Sequence, residues 1–316
     1  MRQTCLNMVY DLAKRDKRVV FIGSDLSPGL LADMKRDMPD RWYMEGITEQ
    51  NLIGMSAGFA KEGYIPYANT IATFMTRRCY EQVAVDLCLH DLPVRLIANG
   101  GGLVYAPLGP THLAIEDIAI MRALPNMTVT AVCDAKEMVR LMNATLDWPH
   151  PIYIRLAKGG DPVVSRDELG FAIGKAIPMR RARSRHSVVL MSTGVMTTNA
   201  LAAGDLLAKD GIEASVVHFH TVKPLDEATV LDFARDAELV VTIEEGIRIG
   251  GLGSAITDVL VDQLGTAAPP VKRLGIPDEF PHNYGLQEDL FDIYGLMPKQ
   301  IAASVGQAAN KKNKVA

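Results

Sequence analysis

Apolar residues in this chain gather in short runs separated by stretches of helical period. Arg18-Val19-Val20-Phe21-Ile22 reads as a buried strand. Arg41–Met44, Tyr64–Asn69, Pro93–Asn99, Met127–Val132 and Pro151–Leu156 give five more. Helical patterns fall between them: 2–16, Glu49 to about Glu62, Thr73–His90, the neighbourhood of His112–Ala123, and Ala135–Asp147. Strands that alternate with helices predict an α/β fold with a mostly parallel sheet covered on both faces.

The rhythm lapses over 157–186, where Gly159-Gly160, Pro162 and an arginine run occur. It then resumes. Ser187–Ser192, Glu213–Phe219, Leu239–Glu244 and Val271–Gly275 read as strands. Thr197–Lys209, Asp226–Arg235, Gly253–Leu264 and a last segment from about Pro298 read as helices. The pattern predicts two α/β domains, 1–165 and 187–316, joined by a linker at 166–186. The basic tail at Lys311-Lys312-Asn313-Lys314 is expected to fray.

Composition narrows the classes. A chain of 316 residues with 48 % hydrophobic content has apolar material for two cores. The net charge of −4 gives no electrostatic footprint for nucleic acid, and Arg180–Arg185 lacks interleaved aromatics, so it reads as a solvated linker. No apolar run reaches the roughly 18 residues of a membrane span, and the first residues show no signal-peptide core. Cys5, Cys79, Cys88 and Cys133 have no metal-ligand spacing. Reduced thiols in a cytoplasmic protein are the expectation.

The chemistry centres on Tyr43-Met44-Glu45-Gly46-Ile47-Thr48-Glu49-Gln50-Asn51. Gly46 breaks a strand, Thr48 is placed to cap a helix, and Glu49 opens its first turn. Glu49 is either a helix-dipole partner or a catalytic carboxyl that burial lets share a proton with a ligand. Gly54, Ala57 and Gly58 lie on or near one face of that helix. Each glycine costs about 1 kcal/mol against alanine, so the face is expected to meet another backbone.

Ligands of open α/β sheets gather beyond the carboxyl ends of strands. Ser24-Asp25, Glu49, Thr70 to Tyr80, Asn99 to His112 and Arg155 all follow or close predicted strands. Phe74, Arg77 and Tyr80 are spaced to share a helical stripe. Such a stripe is ordinarily core, but its arginine suggests an anion. His112, after Gly109-Pro110-Thr111, is either structural or catalytic. Arg155 pairs with a carboxylate or binds a ligand. His218 and His220 point the same way along a strand but lack a third metal ligand in the sequence. No metal site is expected. Gly250-Gly251-Leu252-Gly253 lacks dinucleotide spacing.

These residues fall into motifs. Ile22-Gly23-Ser24-Asp25-Leu26-Ser27-Pro28, Glu45-Gly46-Ile47-Thr48-Glu49-Gln50, Thr73-Phe74, Gly109-Pro110-Thr111-His112, Leu124-Pro125-Asn126-Met127, Val222-Lys223-Pro224-Leu225-Asp226 and Gly275-Ile276-Pro277-Asp278 occur in order along the chain. With these motifs the chain resembles the C-terminal portion of transketolase, its pyrimidine-binding and C-terminal domains, and is similar to deoxyxylulose-5-phosphate synthase. The resemblance implies a thiamine diphosphate-dependent enzyme that transfers a two-carbon ketol, or a related acyl, unit from a ketose or ketone donor to an aldehyde. It gives Glu49 the contact to the aminopyrimidine that generates the cofactor's carbon nucleophile. It gives Phe74 the ring that stacks on that pyrimidine, Tyr80 a neighbouring aromatic of the pocket, and Asp25 a place near the cofactor. His112 corresponds to a histidine at the substrate oxygen, and Arg155 to an arginine that binds a sugar phosphate.

Three positions depart from typical transketolases. Arg77 replaces an aromatic, as in the deoxyxylulose-phosphate synthases. Leu108 stands where an aspartate recognises a donor hydroxyl, and Gly100 where a histidine stands. An unpaired hydroxyl costs about 1–3 kcal/mol, so a different or more reduced donor is expected. The element that holds Mg2+ (or Ca2+) and the diphosphate is not present. The resemblance therefore implies one subunit of a split enzyme, completed by an N-terminal-type transketolase subunit in an α2β2 assembly. The beta chain of a 2-oxoacid dehydrogenase and a non-catalytic assembly paralogue are the alternatives.

Overall fold

The computed structural model describes residues 1–24, 26, 29 and 31–312. Asp25 and the tail residues 313–316 lie outside the described residues. Among the described residues twelve strands follow one another: β1 (Val19–Gly23), β2 (Trp42–Met44), β3 (Ile65–Ile71), β4 (Arg95–Asn99), β5 (Thr128–Ala131), β6 (Ile152–Leu156), β7 (Ile177–Arg180), β8 (Val188–Ser192), β9 (Ala214–His218), β10 (Thr221–Lys223), β11 (Leu239–Ile247) and β12 (Val271–Ile276). They form a seven-stranded sheet, β10-β5-β6-β4-β3-β1-β2, and a five-stranded sheet, β12-β11-β8-β9-β7. β10 and β7 are antiparallel to their neighbours, and the other pairs are parallel. Helices flank both sheets, as the alternation predicted.

The physics of the central strands is simple. β1, β3, β4, β5, β6, β8 and β9 are buried at every position, which is why they read as unbroken apolar runs. Burial of polar members is met by hydrogen bonds. Asn69 donates to the Ile97 carbonyl at 3.0 Å, and Thr130 to the Tyr153 carbonyl at 2.9 Å.

Several elements were not legible. A strand, β7, sits inside the expected linker. The short helices Ala32–Asp37 and Gln287–Ile293 lie in stretches with no predicted element. The helix expected near His112 begins only at Asp117. The helix expected over Thr73–His90 forms, but with π-helical segments at Phe74–Arg78 and Val83–Cys88 around a short α segment, which the sequence did not mark. β10 belongs to the second half in sequence but extends the first sheet, pairing with β5.

That pairing is one of several seams between the halves. Glu137, from the helix Ala135–Thr145, accepts from the Cys133 amide at 2.7 Å and lies 2.9 Å from His218 Nε2. His218 Nδ1 is 2.6 Å from the Thr197 hydroxyl. The fold thus supplies what the spacing of His218 and His220 did not: the ligand atoms of Cys133, Glu137 and His218 lie within 4.8 Å of one another, all buried. Glu137 Oε2 and His218 Nε2 already hydrogen-bond to each other there, while Glu137 Oε1 has no hydrogen-bond partner among the described residues. Burial alone pushes the Glu137 carboxyl up, but the His218 ring, its hydrogen bond, the His220 ring and the Cys133 amide outweigh it and hold Glu137 at about 2. Removing one partner of such a buried pair costs about 3–5 kcal/mol. All four cysteines are free and buried. Among the described residues no helix is long and apolar enough to cross a membrane.

His220 makes this seam sensitive to acid. It is stacked on Phe171 at 4.2 Å between ring centroids and fully buried. Burial, reinforced by His218 and Arg140 against the pull of Glu137, brings it down to about 4. The unfolded chain takes up this proton near pH 6.5, while the folded chain resists until about pH 4. Stability contributed by neutral His220 is therefore complete above pH 6.5 and is lost as pH falls toward 4. The loss is on the order of 3 kcal/mol. Urea unfolding at pH 7 and pH 5, compared between wild type and His220→Gln, should show the gap between the two proteins shift by a large part of that amount. A gap independent of pH would disprove the assignment.

Candidate active site

Glu49 is the first residue of the helix Glu49–Lys61 and only 3 % exposed. Thr48 precedes it but does not cap the helix. Its hydroxyl donates instead to the Glu45 carbonyl at 2.8 Å, tightening the turn after β2. Buried carboxylates need a partner, and here it is Arg78, whose Nη1 donates to Glu49 Oε2 at 2.7 Å. The Arg78 guanidinium carbon also sits 4.3 Å from the centroid of the Phe74 ring. Phe74 in turn meets the His112 ring edge-on, with centroids 5.3 Å apart and planes at 65°. Glu49, Arg78, Phe74 and His112 thus form one continuous set at the carboxyl ends of β2, β3 and β4.

The wide turn Phe74–Arg78 shapes this set. The thiol of Cys79 donates to the Phe74 carbonyl at 3.3 Å. Burial, then the nearby Glu49 charge, pushes that thiol up to about 12, so it remains a neutral donor. Thr73 donates its hydroxyl to the His112 carbonyl at 2.9 Å, tying the turn to the 100–112 loop. His112 is half-buried, with Nδ1 2.9 Å from the Thr111 hydroxyl.

The expected Phe74–Arg77–Tyr80 stripe is parted by this geometry. Arg77 turns to Glu116, donating to both carboxylate oxygens and, at 3.0 Å, to the Leu113 carbonyl. The Phe280 ring centroid lies 5.8 Å from its guanidinium carbon. Tyr80 donates its hydroxyl to the Ile120 carbonyl at 2.9 Å. Both therefore brace the wall around the set, while Arg78, which spacing did not single out, enters it. Its i, i+4 relation to Phe74 was the available signal.

Arg155 also needs correction. It is 6 % exposed. Its Nε donates to Asp117 at 2.9 Å, and its Nη2 to the carbonyls of Ala114 at 3.2 Å and Glu245 at 2.6 Å. An arginine committed in this way, inside the seam between the halves, is not presented to a sugar phosphate. It supports the loop instead. Glu245 lies next to it and accepts from the Leu103 amide at 2.7 Å and from Gln287 at 2.6 Å. Burial, opposed by Arg155, brings Glu245 up to about 7.

Gly100 has φ of +75°, and a Cβ there would run into the Tyr105 ring. The histidine of typical transketolases has no room at that position in this loop. Leu108 ends a short 3-10 turn and is 50 % exposed. Gly54 and Gly58, expected to meet another backbone, are exposed, and a Cβ added at either would have nothing within 4 Å. The close approach they suggest is not made within this chain.

Comparison with known proteins bears on the family and the fold. A model of the transketolase pyrimidine binding domain matches residues 1–160, and one of the transketolase C-terminal domain matches residues 178–301. A 6-deoxy-6-sulfo-D-fructose transketolase subunit, SqwH, from Clostridium sp. is 33 % identical over 315 residues, covering 99 % of this chain and 95 % of that protein. One of the subunits of an apulose-4-phosphate transketolase from Phocaeicola vulgatus is 32 % identical over 297 residues, covering 93 % of each. A solved split-gene transketolase, an inactive beta4 tetramer, superposes with a TM-score of 0.89 at 33 % identity, covering 98 % of each chain. With both domain models spanning most of its length and relatives of its own size aligned nearly end to end, the chain belongs to the transketolase family.

Proposed function

We propose that this chain is the pyrimidine-side subunit of a two-chain transketolase that moves a two-carbon ketol unit from a ketose or ketone donor to an aldehyde. The observation that carries the reading is the buried Glu49 carboxylate beside the Phe74 face, with the His112 ring next in line. When bound, thiamine diphosphate supplies a carbon nucleophile to such chemistry. The residues fit its aminopyrimidine end. Glu49 offers a carboxyl shielded from water that can hold a proton at the ring, Phe74 offers a flat apolar face for stacking, and His112 is placed to donate or accept at a substrate oxygen whose charge changes. Tyr80, Arg77 and Asp25 are assigned to the surroundings of that end.

A second chain completes the site in this reading. It carries the diphosphate and the Mg2+ or Ca2+, with an α2β2 assembly. The open glycine face of the Glu49–Lys61 helix supports it, since that face can take a close-packed backbone. So does the exposed apolar rim of Ile47, Leu108, Phe280, Tyr284 and Leu286. The names of two relatives, one acting on a sulfo sugar and one on a sugar phosphate, support an anionic sugar as substrate. With Arg155 buried, another group must meet that anion.

Co-expression with a chain that bears a diphosphate-binding domain tests the reading. The pure subunit should bind thiamine diphosphate weakly, and the co-purified complex tightly and with transferase activity. Glu49→Gln in that complex should preserve assembly on a sizing column and lower kcat by about a hundredfold or more. Full activity of the Glu49→Gln complex would remove the proposed role.

Donor choice follows from Leu108 and Gly100. A pocket with no polar partner at either position favours a donor without a hydroxyl there. Leu108→Asp should raise kcat/KM for a hydroxylated ketose relative to its deoxy analogue by roughly tenfold. An unchanged ratio would place Leu108 away from the donor.

A further inference from the structure

We infer that Arg78 is a plug in the cofactor site: its guanidinium occupies the seat of the aminopyrimidine ring, and the cofactor must displace it. This rests on the thiamine reading above and goes beyond it, because it concerns what the site holds before the cofactor arrives.

In that reading two contacts define the seat, a stack on Phe74 and a hydrogen bond to Glu49. Arg78 makes both. Its guanidinium carbon lies 4.3 Å from the Phe74 centroid and its Nη1 lies 2.7 Å from Glu49 Oε2. A guanidinium is planar and delocalised and stacks on aromatic faces much as a flat ring does. Its fork matches a carboxylate. One face of Phe74 and one oxygen of Glu49 cannot serve two occupants together. The charge is equally exclusive: an oxygen that accepts from a guanidinium is not free to carry the proton that the pyrimidine contact requires.

The surroundings show that Arg78 can leave while Glu49 stays. The Arg78 side chain is 39 % exposed and that of Glu49 is 3 % exposed. Swinging the arginine outward therefore moves a partly hydrated charge into water and leaves the carboxyl in its pocket. Arg77, its neighbour, is tied away from the seat by Glu116 and the Leu113 carbonyl. Both arginines belong to the π-helical turn Phe74–Arg78, after which the Cys79 thiol donates to the Phe74 carbonyl. Single π turns recur where a helix presents functional groups. Here the turn sends adjacent arginines in different directions, one into the wall and one into the site.

The test uses the complex co-purified with its diphosphate-binding chain and stripped of cofactor. Thiamine diphosphate is titrated at fixed Mg2+ and followed by calorimetry, for wild type, Arg78→Met and Arg78→Lys. Losing a stack and a charge-assisted hydrogen bond from the empty state should tighten the Kd of Arg78→Met by about tenfold or more. Arg78→Lys keeps the charge and loses the flat fork, so it should fall between. Unchanged or weaker binding by a folded Arg78→Met complex overturns the plug and makes Arg78 a cofactor contact. Should Arg78→Met fail to fold, Arg78→Lys decides alone, and binding no tighter than wild type overturns the proposal. No saturable binding by any of the three proteins overturns the thiamine reading itself, a separate result.

Discussion

A carboxylate taken out of water must be matched by a positive or hydrogen-bonding partner, or its burial is paid in stability. Glu49 poses that problem at the start of a helix, with its side chain almost wholly enclosed. The helix end contributes a favourable field, but Thr48 does not cap it. Arg78 provides the match from a different element. The constraint then propagates. The arginine must be delivered over Phe74, the turn that delivers it must be wide, and the loop carrying His112 must be held beside the same ring.

Holding that loop is the task of groups deep in the seam between the two halves. Arg155 joins Asp117, the Ala114 carbonyl and the Glu245 carbonyl, while the Glu245 carboxylate takes the Leu103 amide. Glycines at 101 and 102 admit these side chains, since a Cβ at either would collide with Arg155 or Glu245. The second half thus acts as a foundation for the first. Its strand β10 even extends the first sheet. Arginine at a strand end is compatible with ligand binding or with internal pairing, and the distances decide for pairing.

What the sequence made legible and what it did not follow from the range of the forces involved. β1, β4 and β6 were readable because each residue is buried on both sides, so apolar character is written at nearly every position. Glu49 and His112 stood out because turn chemistry and motif order surround them. The parting of Arg77 from Arg78 was not readable. It depends on one extra residue in a helical turn, which no local preference marks, and on Glu116, distant in sequence, drawing one arginine away. β10 was unreadable for a similar reason. Three residues carry no period, and their partner strand comes some ninety positions earlier. Gly54 and Gly58 read as an invitation to close packing, and no local signal says that this chain leaves the invitation unanswered.

The open glycine face and the proposed role of Arg78 bear on one another. In the two-chain reading proposed above, an active site divided between two polypeptides would expose each half while the other is missing. For this half the exposure would consist of an apolar ring face and a buried charge without a counter-ion, two of the least stable things a protein surface can show. The Arg78 guanidinium covers the ring and neutralises the charge in one side chain. It does so from a partly exposed position, from which it can swing into water once another group takes over both contacts. A fully buried arginine, like Arg155, would hold too firmly to serve. The difference in burial between these two arginines separates a structural tie from a replaceable one.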